Sequence, residues 1–308
     1  MKEMSIAQCM AEFQKTKNPF YLIKTIILIV RQGKIDEVLF GIYCMLFFKP
    51  SKALVRNDDE LKENMNMART VAALYKERDF YTRDQLIDCF GDKFKVSALP
   101  LEFTGCRTES IVQINNLLIV GDYGTTNASA TVAIISKETC TINNFYNQLP
   151  GVLHIHSIHL FNESELLIST GDTKKLTDLW VIEANDIKFK KRIRKYLAGY
   201  TAAIKVNNQH FFGTDFSGRP NFIETLEGER YFFPSKAYKM WVFAFYAFSD
   251  RYIVSINTDL ECLSNRKALS IFDTVNKQFI FCEYYSRRDG IKPSVSADLA
   301  RPTPKVPI

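Results

Sequence analysis

The sequence predicts a mainly β protein, a β-propeller of four to five blades that follows an N-terminal α-helical region. Helix-capping signals are frequent before residue 97, whereas short runs of Ile, Val, Phe and Tyr alternate with Asn, Asp, Gly and Ser after it. The second part also repeats itself at intervals of 50, 43 and 44 residues. These intervals separate the aspartates that close each repeat: Asp122, Asp172, Asp215 and Asp259. Repeats of this length that hold several strands are typical of propeller blades.

Residues 1–96 are the predicted helical region. Residues that favour an N-cap stand three positions before Gln or Glu at three places in this region. Asn18 precedes Pro19, which suits an N-cap followed by proline at the first helical position. These signals predict five helices: 5–15, 19–32, 35–48, 58–78 and 82–90.

The most apolar part of the chain is residues 20–50. Lys24 interrupts it early and the sequence RQGKIDE divides it, so neither half has the roughly 18 to 20 apolar residues that span a bilayer. We therefore expect 19–32 and 35–48 to pack as a helical hairpin in a core. Two alternatives are a β-hairpin through the RQGK turn and contact with a membrane surface, which is not favoured.

Each repeat begins with an inner hairpin, in which two strands flank a polar turn and a Gly-Asp or Thr-Asp closes the second strand. The inner hairpins are 110–122, 156–172, 202–215 and 244–259. An outer hairpin follows each of them, with turns at SKET, EAND, LEGE and DTVN. The propeller is therefore predicted over 97–288. A fifth blade could come from less regular segments near the helical region, and 289–308 is predicted to be a proline-rich flexible tail.

Composition favours a cytoplasmic protein with mildly basic charge. The chain of 308 residues carries a net charge of +6, and its seven cysteines are scattered without a C-x-x-C pair. This pattern argues against a disulfide framework and against a structural zinc site. The N-terminus lacks the apolar core of a signal peptide. The basic run 188–196 is interpreted as a solvated edge strand, and a nucleic-acid partner is not expected.

Three of the four histidines fall in the sequence HIHSIH, at 154–159. Because side chains alternate along a strand, His154 and His156 should share one face and His159 should lie on the other. Counted back from the turn, the positions equivalent to His156 hold small residues: Ser110, Ala202 and Ala244. Small residues suit the crowded first strands around a propeller channel, so we expect the first two imidazoles to point into it.

The candidate catalytic residues are therefore His154, His156 and the aspartate that closes the same repeat, Asp172. Two imidazoles on one strand face could hold a divalent metal ion or act in acid–base chemistry, or they could simply pack the channel. The other closing aspartates, Asp122 and Asp215, are candidate ligand-binding residues, with turn capping as the alternative.

Three more candidates for ligand binding come from the third repeat. Tyr200 occupies the position of His154 in that repeat, at one end of the channel. The loop GTDFSGRPN contains Arg219, which could bind a carboxylate or phosphate through both of its terminal nitrogens, and Asn221. An ordinary solvated loop is the alternative for this segment.

The sequences HIHSIHLFNESELLISTGD and GTDFSGRPNFIETLEG resemble sialidase-like, BNR-type propellers of bacterial surface-polysaccharide gene clusters. The resemblance covers roughly 150–230 and consists of the H-x-H strand, the T-G-D strand end and the later G-T-D loop with a downstream Asn. It implies carbohydrate binding and, if the protein is an enzyme, glycoside hydrolysis or polysaccharide lyase chemistry. The Asp-box pattern S-x-D-x-G-x-T-W does not occur in the sequence.

Two functional hypotheses follow. In the first, the propeller binds a glycan or another anionic small molecule in its central channel, as part of surface-polysaccharide metabolism. In the second, it is a non-catalytic scaffold that binds a protein partner through the propeller face or through the helical region. Convergent polar groups at the channel end would favour the first hypothesis, and an exposed apolar patch on the helices would favour the second.

Overall fold

The structure is a computed structural model. It describes 80–123, 131–144, 154–171, 175–183, 186–195, 199–216, 220–258 and 267–285, together with 15–31, 46–53 and single residues between 9 and 69. Asp172, Arg219 and Asp259, as well as the predicted tail 289–308, lie outside the described residues. Most residues of the predicted helices 5–15, 35–48 and 58–78 also lie outside the described residues.

Four antiparallel sheets of four strands each form a four-bladed β-propeller, which confirms the predicted fold. Blade 1 consists of β3–β6, at Ile111–Ile114, Leu117–Gly121, Thr131–Ile135 and Cys140–Asn144. Blade 2 consists of β7–β10, at His154–Asn162, Glu165–Gly171, Leu176–Glu183 and Asp186–Lys195. Blade 3 consists of β11–β14, at Tyr200–Val206, Gln209–Thr214, Phe222–Thr225 and Arg230–Phe232. Blade 4 consists of β15–β18, at Trp241–Phe248, Tyr252–Thr258, Lys267–Asp273 and Gln278–Tyr285.

The remaining described elements precede blade 1. Helix α1 and helix α2 are the two predicted helices whose bounds are fully described, at Pro19–Arg31 and Arg83–Phe90. Strands β1 (Phe80–Thr82) and β2 (Gly105–Arg107) pair antiparallel as a small extra sheet. Short 3-10 helices lie at Val96–Ala98 and Thr108–Ser110.

Local sequence signals fix the starts of both helices. The Thr82 side chain accepts a hydrogen bond from the Gln85 backbone N–H at 3.3 Å, and the Gln85 side chain accepts one from the Thr82 N–H at 2.9 Å. This reciprocal capping box begins α2. At α1, Asn18 Oδ1 accepts a hydrogen bond from the Phe20 N–H at 3.0 Å. Each cap satisfies a backbone donor that the first helical turn leaves without an intrahelical acceptor.

Blades 1 and 2, and blades 3 and 4, pack closely because glycines stand where neighbouring strands meet. A Cβ at Gly121 would lie inside 3.0 Å of the Ile155 side chain on blade 2. A Cβ at Gly213 would similarly meet Val242 on blade 4. The missing side chains therefore allow a branched residue of the next blade to approach the backbone.

A recurring bulge shapes the first strands of blades 2, 3 and 4. In each of these strands, one residue has no partner on the second strand, and it lies at the same level in all three blades. These residues are His156, Thr201 and Phe243. Strand β7 has a second bulge at Phe161, which adds one residue between the turn and this level.

The second bulge changes the correspondence that the sequence predicted for His156. Ser110, Ala202 and Ala244 each lie four residues before the last paired residue of their strand, and once the bulge at Phe161 is allowed for, the equivalent position in β7 is Ser157. These four residues are all buried, so the crowding expected around the axis is present. His156 lies one residue earlier, in the bulge itself.

Side-chain hydrogen bonds to backbone carbonyls connect the first segments of the blades around the axis. Ser110 Oγ donates to the Ile155 carbonyl at 3.0 Å, which joins blades 1 and 2. Thr201 Oγ1 donates to the Val242 carbonyl, which joins blades 3 and 4. The buried Arg107 guanidinium donates to the Phe243 carbonyl and so connects β2 to blade 4. The ring is thus closed between the start of the propeller and its last blade.

The helical region is anchored on blades 3 and 4. The Phe48 ring stacks on Phe232 at 4.5 Å between centroids, and its carbonyl accepts a hydrogen bond from the Tyr238 hydroxyl at 2.7 Å. Arg69 donates two hydrogen bonds to Glu283 of β18, at 2.8 and 2.9 Å. These contacts hold the C-terminal end of the predicted hairpin, at Phe48, and the later residue Arg69 against the outer strands of blades 3 and 4.

The expectation that 20–48 is buried in a core is wrong for most of the described residues of this stretch. Five large apolar side chains of α1 are between 46% and 59% exposed: Phe20, Ile23, Ile26, Ile27 and Val30. Leu39, Leu46 and Phe47 are also more than half exposed. The apolar composition of the stretch does not indicate which surface covers it. In the structure, the propeller does not cover these side chains.

The basic run forms strand β10, the outer edge of blade 2. Its cations pair within the blade, since Lys190 contacts Glu165 and Arg192 donates to Asp178 at 2.9 Å. The interpretation as a solvated edge strand is therefore confirmed. Among the described residues, no helix is long and apolar enough to cross a membrane.

Candidate functional site

Polar side chains from three blades meet at one end of the propeller. They lie where β4 and β12 end and where β7 and β9 begin, which is the same end of each sheet because the strands are antiparallel. We call this group the channel-end cluster: Asp122, Tyr123, His154, His156, Lys175 and Asp215.

Tyr123 and His154 form the contact between blades 1 and 2 in this cluster. Their ring centroids are 4.4 Å apart, and His154 Nδ1 lies 3.3 Å from the Tyr123 carbonyl oxygen. Both side chains are partly exposed. His154 therefore contacts blade 1, whereas His159 contacts His210 of blade 3. The expectation that the two lie on opposite faces of the strand does not agree with the register. The bulge at His156 pairs them with Gly171 and Leu167, four residues apart on β8, so both fall on one face of the sheet.

The bulge of β7 places His156 between blades 1 and 3. Its ring lies nearly parallel to that of Tyr123 at 5.9 Å, and its Nδ1 is 3.8 Å from Asp215 Oδ2. A Cβ at Gly171 would overlap the imidazole, so the glycine of the T-G-D sequence leaves the space that His156 occupies. His156 is buried, and it forms the floor of the cluster.

Lys175 and Asp215 form the side of the cluster on blade 3. Lys175 Nζ lies 3.3 Å from the Asp215 carboxylate and donates a hydrogen bond to the Asp215 carbonyl at 2.9 Å. The lysine stem packs against Gly199, whose φ of 67° favours glycine. A cation from blade 2 is therefore held beside an anion from blade 3, and both remain partly exposed.

Asp122 is a buried carboxyl at the blade 1 side. Thr104 Oγ1 donates to its Oδ1 at 3.1 Å, and the Gly105 N–H approaches the same oxygen at 3.4 Å. Burial raises the pKa of Asp122, and these hydrogen bonds and the nearby His154 offset the rise only in part. The group therefore takes up a proton more readily than an exposed aspartate.

The chemical character of the cluster is mixed. Its partly exposed members offer two ring faces, one ammonium group and one carboxylate, and its buried members offer a second imidazole and a second carboxyl. Such a set provides hydrogen-bond donors, acceptors and stacking surfaces within a small volume, and convergent polar groups of this kind fix the orientation of small molecules in binding sites.

A metal ion at His154 and His156 remains a prediction. Their ring centroids are 6.3 Å apart, and the rings are tilted by 41°. Within the part of the chain that the structure describes, no group of three or more His, Cys, Asp and Glu side chains is arranged to hold a metal ion.

The structure does not bring Tyr200 and Asn221 into the cluster. The Tyr200 hydroxyl donates to Glu224, and its ring stacks on Phe212 at 4.8 Å inside blade 3. Asn221 is buried, its Oδ1 accepts from Thr214 at 3.0 Å and from the Phe216 N–H at 2.9 Å, and its amide donates back to Phe216. Asn221 therefore closes the loop that carries Arg219, which is itself not described.

Sequence reasoning missed the pairing of the other two histidines. His159 Nε2 lies 3.2 Å from His210 Nδ1, so that blades 2 and 3 are joined through two imidazoles. The His210 ring stacks on Phe161, the residue of the second bulge, at 4.7 Å. His210 lies 51 positions after His159 in the chain, and no local pattern relates them. Tyr123 and Lys175 were missed because neither belongs to a motif.

Comparisons with known proteins do not place the chain in a family. No family model matches it, and no curated protein matches it. One similar solved structure is a crystal structure of the eukaryotic initiation factor, with 14% identity and a TM-score of 0.30, covering 62% of this chain and 47% of that one. Another is a complex of S. cerevisiae Dbp5 with Nup159, Gle1, IP6 and ADP, with 9% identity and a TM-score of 0.30, covering 57% and 46%. This chain thus spans less than half the length of either.

The comparisons lend no support to a sialidase-like or BNR-type family in particular. What stands is the coarser statement that the chain is a four-bladed propeller, a fold suited to binding or scaffold roles.

Proposed function

We propose that this propeller is a binding module whose channel-end cluster takes a sugar acid. The observation that carries the proposal is the meeting of Tyr123, His154, Lys175 and Asp215 above the buried His156. Lys175 would bind the carboxylate of the ligand, and Asp215 would accept hydrogen bonds from its hydroxyl groups. The rings of Tyr123 and His154 would pack against the apolar face of the sugar.

The resemblance to polysaccharide-cluster propellers suggests where such a ligand would come from. A uronic or nonulosonic acid of a bacterial surface polysaccharide has the carboxylate and the vicinal hydroxyls that the cluster would recognise. We assign no catalytic role to His154 and His156 in this proposal. Their expected role is to shape the floor and one wall of the site.

Calorimetric titration with glucuronate and with N-acetylneuraminate, and with glucose as the neutral comparison, would test the proposal. Lys175→Met should weaken binding of either acid by about tenfold or more, because a charge-assisted hydrogen bond contributes about 1.5 to 3 kcal/mol. Lys205→Met is the matched control, since Lys205 is an exposed lysine of β11 outside the cluster. Equal loss in both variants, or no binding of either acid by the unchanged protein, would contradict the proposal.

A docking role is the second candidate function, and the outward apolar face of α1 favours it. Monomeric soluble proteins seldom leave large contiguous apolar patches open to water, and those that do commonly use them as interaction sites. Because α1 and the channel-end cluster lie in different parts of the fold, the two functions are compatible.

A further inference from the structure

Helix α1 is oriented with its apolar side away from the protein. A surface helix of a soluble protein normally turns an apolar stripe toward the core and polar residues toward water. In α1 the buried residue is Thr25, whose hydroxyl donates to the Tyr21 carbonyl at 2.8 Å. The outward residues are instead large and apolar, at spacings of three and four residues: Phe20, Ile23, Ile26, Ile27 and Val30.

The charged residues in this stretch of the sequence are all positive. Between Phe13 and Ile35 the sequence has no Asp or Glu, and it has five cations: Lys15, Lys17, Lys24, Arg31 and Lys34. Lys15 and Lys17 precede the helix and Arg31 ends it, and all three are exposed. The apolar face is therefore flanked by cations at both ends, and the sequence between Phe13 and Ile35 contains no carboxylate side chain.

From this arrangement we infer that α1 binds the surface of an anionic membrane, with its axis parallel to the bilayer plane. Outward apolar side chains would enter the boundary between headgroups and acyl chains, and the flanking cations would contact anionic headgroups. At 13 residues the helix is about 20 Å long, shorter than the roughly 30 Å hydrocarbon core, so it suits an orientation along the surface.

A lipid surface fits this face better than a protein groove does. The face presents only hydrocarbon side chains, and the charged groups at its two ends are all cations. Cations at both ends match a surface of uniform negative charge, which a bilayer rich in anionic lipid provides. The anchor of Phe48 on Phe232 lies beyond the helix in sequence, so the helix can contact lipid while the propeller stays folded.

Vesicle sedimentation with the full chain tests the inference. The protein should sediment with vesicles of equal parts phosphatidylcholine and phosphatidylglycerol, and much less with vesicles of phosphatidylcholine alone. Added salt should weaken the binding because it screens the headgroup charge. Absence of binding to the anionic vesicles would overturn the inference.

Two variants separate the apolar and the charged contributions. Ile23→Ser with Ile27→Ser should reduce vesicle binding on the order of tenfold or more, because two apolar side chains no longer leave water. Lys17→Glu with Arg31→Glu should abolish the preference for anionic vesicles. Leu101→Ser with Val275→Ser is the matched control, as both residues are exposed and apolar but lie outside the helical region; it should bind as the unchanged protein does.

Other occupants of the face would give different results. One alternative occupant is a second copy of the chain. In that case the unchanged protein is a dimer that does not bind vesicles, and the double variant Ile23→Ser with Ile27→Ser is a monomer. This result would show the inference to be wrong. The inference is also wrong if the serine variant and the control bind vesicles equally. A thermal melt checks that each variant is folded. The inference is independent of the sugar-acid site, because vesicle binding and calorimetric titration are measured separately and involve different residues.

Discussion

The imidazole pair between blades 2 and 3 predicts that the protein loses stability in mildly acidic solution. His210 is only 7% exposed, its ring stacks on Phe161, and its Nδ1 faces Nε2 of His159 at 3.2 Å. One of these two nitrogens must donate and the other must accept. Burial and, to a smaller extent, the neighbouring Lys205 lower the pKa of His210 from 6.5 to about 4, with Glu227 acting weakly in the opposite direction.

The direction of the effect follows from where each state binds the proton. The unfolded chain protonates this imidazole near pH 6.5, whereas the folded protein does so only near pH 4. Stability from this group is therefore complete above pH 6.5, is lost progressively as the pH falls from 6.5 to 4, and declines no further below pH 4. Since each pKa unit corresponds to about 1.4 kcal/mol, the expected loss at the lower pH is about 3 kcal/mol.

Urea denaturation at a series of pH values between 6.5 and 4 measures this loss. His210→Phe removes the titrating group and keeps an aromatic ring against Phe161, so the variant should lose about 3 kcal/mol less than the unchanged protein over this range. His159→Gln keeps His210 and should retain most of the pH dependence. If the unchanged protein and His210→Phe lose the same free energy of unfolding, His210 does not titrate as the structure implies.

Two further predictions concern packing and a buried charge. Gly213→Ala should lower the free energy of unfolding by about 2 kcal/mol, because the added Cβ collides with Val242 of the next blade; unchanged stability in urea denaturation would contradict this account of blade packing. Asp273→Asn should cost about 3 kcal/mol at neutral pH, because the buried carboxylate accepts hydrogen bonds from Arg251 at 3.1 and 2.7 Å. Burial acts to raise the pKa of Asp273, but hydrogen bonds from Arg251 and Asn276 outweigh it and hold the pKa below 3.8. The loss of stability in Asp273→Asn should thus be complete above pH 3.8 and should vanish as the pH falls below the lowered pKa. A loss that does not depend on pH would show that the carboxylate charge is not its cause.

Much of the fold could be predicted because it depends on neighbours in the chain. The strands alternate with turn residues, and the β11–β12 turn has Asn207 and Asn208 at φ 47° and 59°, a conformation that asparagine tolerates. The Thr82 capping box also lies within three residues of Gln85. The spacing of four such repeats was therefore sufficient to indicate a propeller.

The candidate site was predicted only in part. The sequence singled out His154, His156, Asp122 and Asp215, and the structure places all four in the channel-end cluster. It also pointed to Tyr200, whose hydroxyl instead binds a buried glutamate inside blade 3. A strand period of two tells which residues share a face, but it does not tell which buried acceptor a hydroxyl will reach.

The blades, the turns and the helix caps were therefore predictable from the order of residues, since these features depend on contacts a few residues apart. The tertiary structure alone decided which blades meet at each face, where the bulge at Phe161 shifts the register, and which partners His156 and His210 acquire. It also decided that the apolar side of α1 faces outward. Burial and pairing between residues far apart in the chain depend on how separately formed sheets pack, and a local sequence pattern carries no record of that packing.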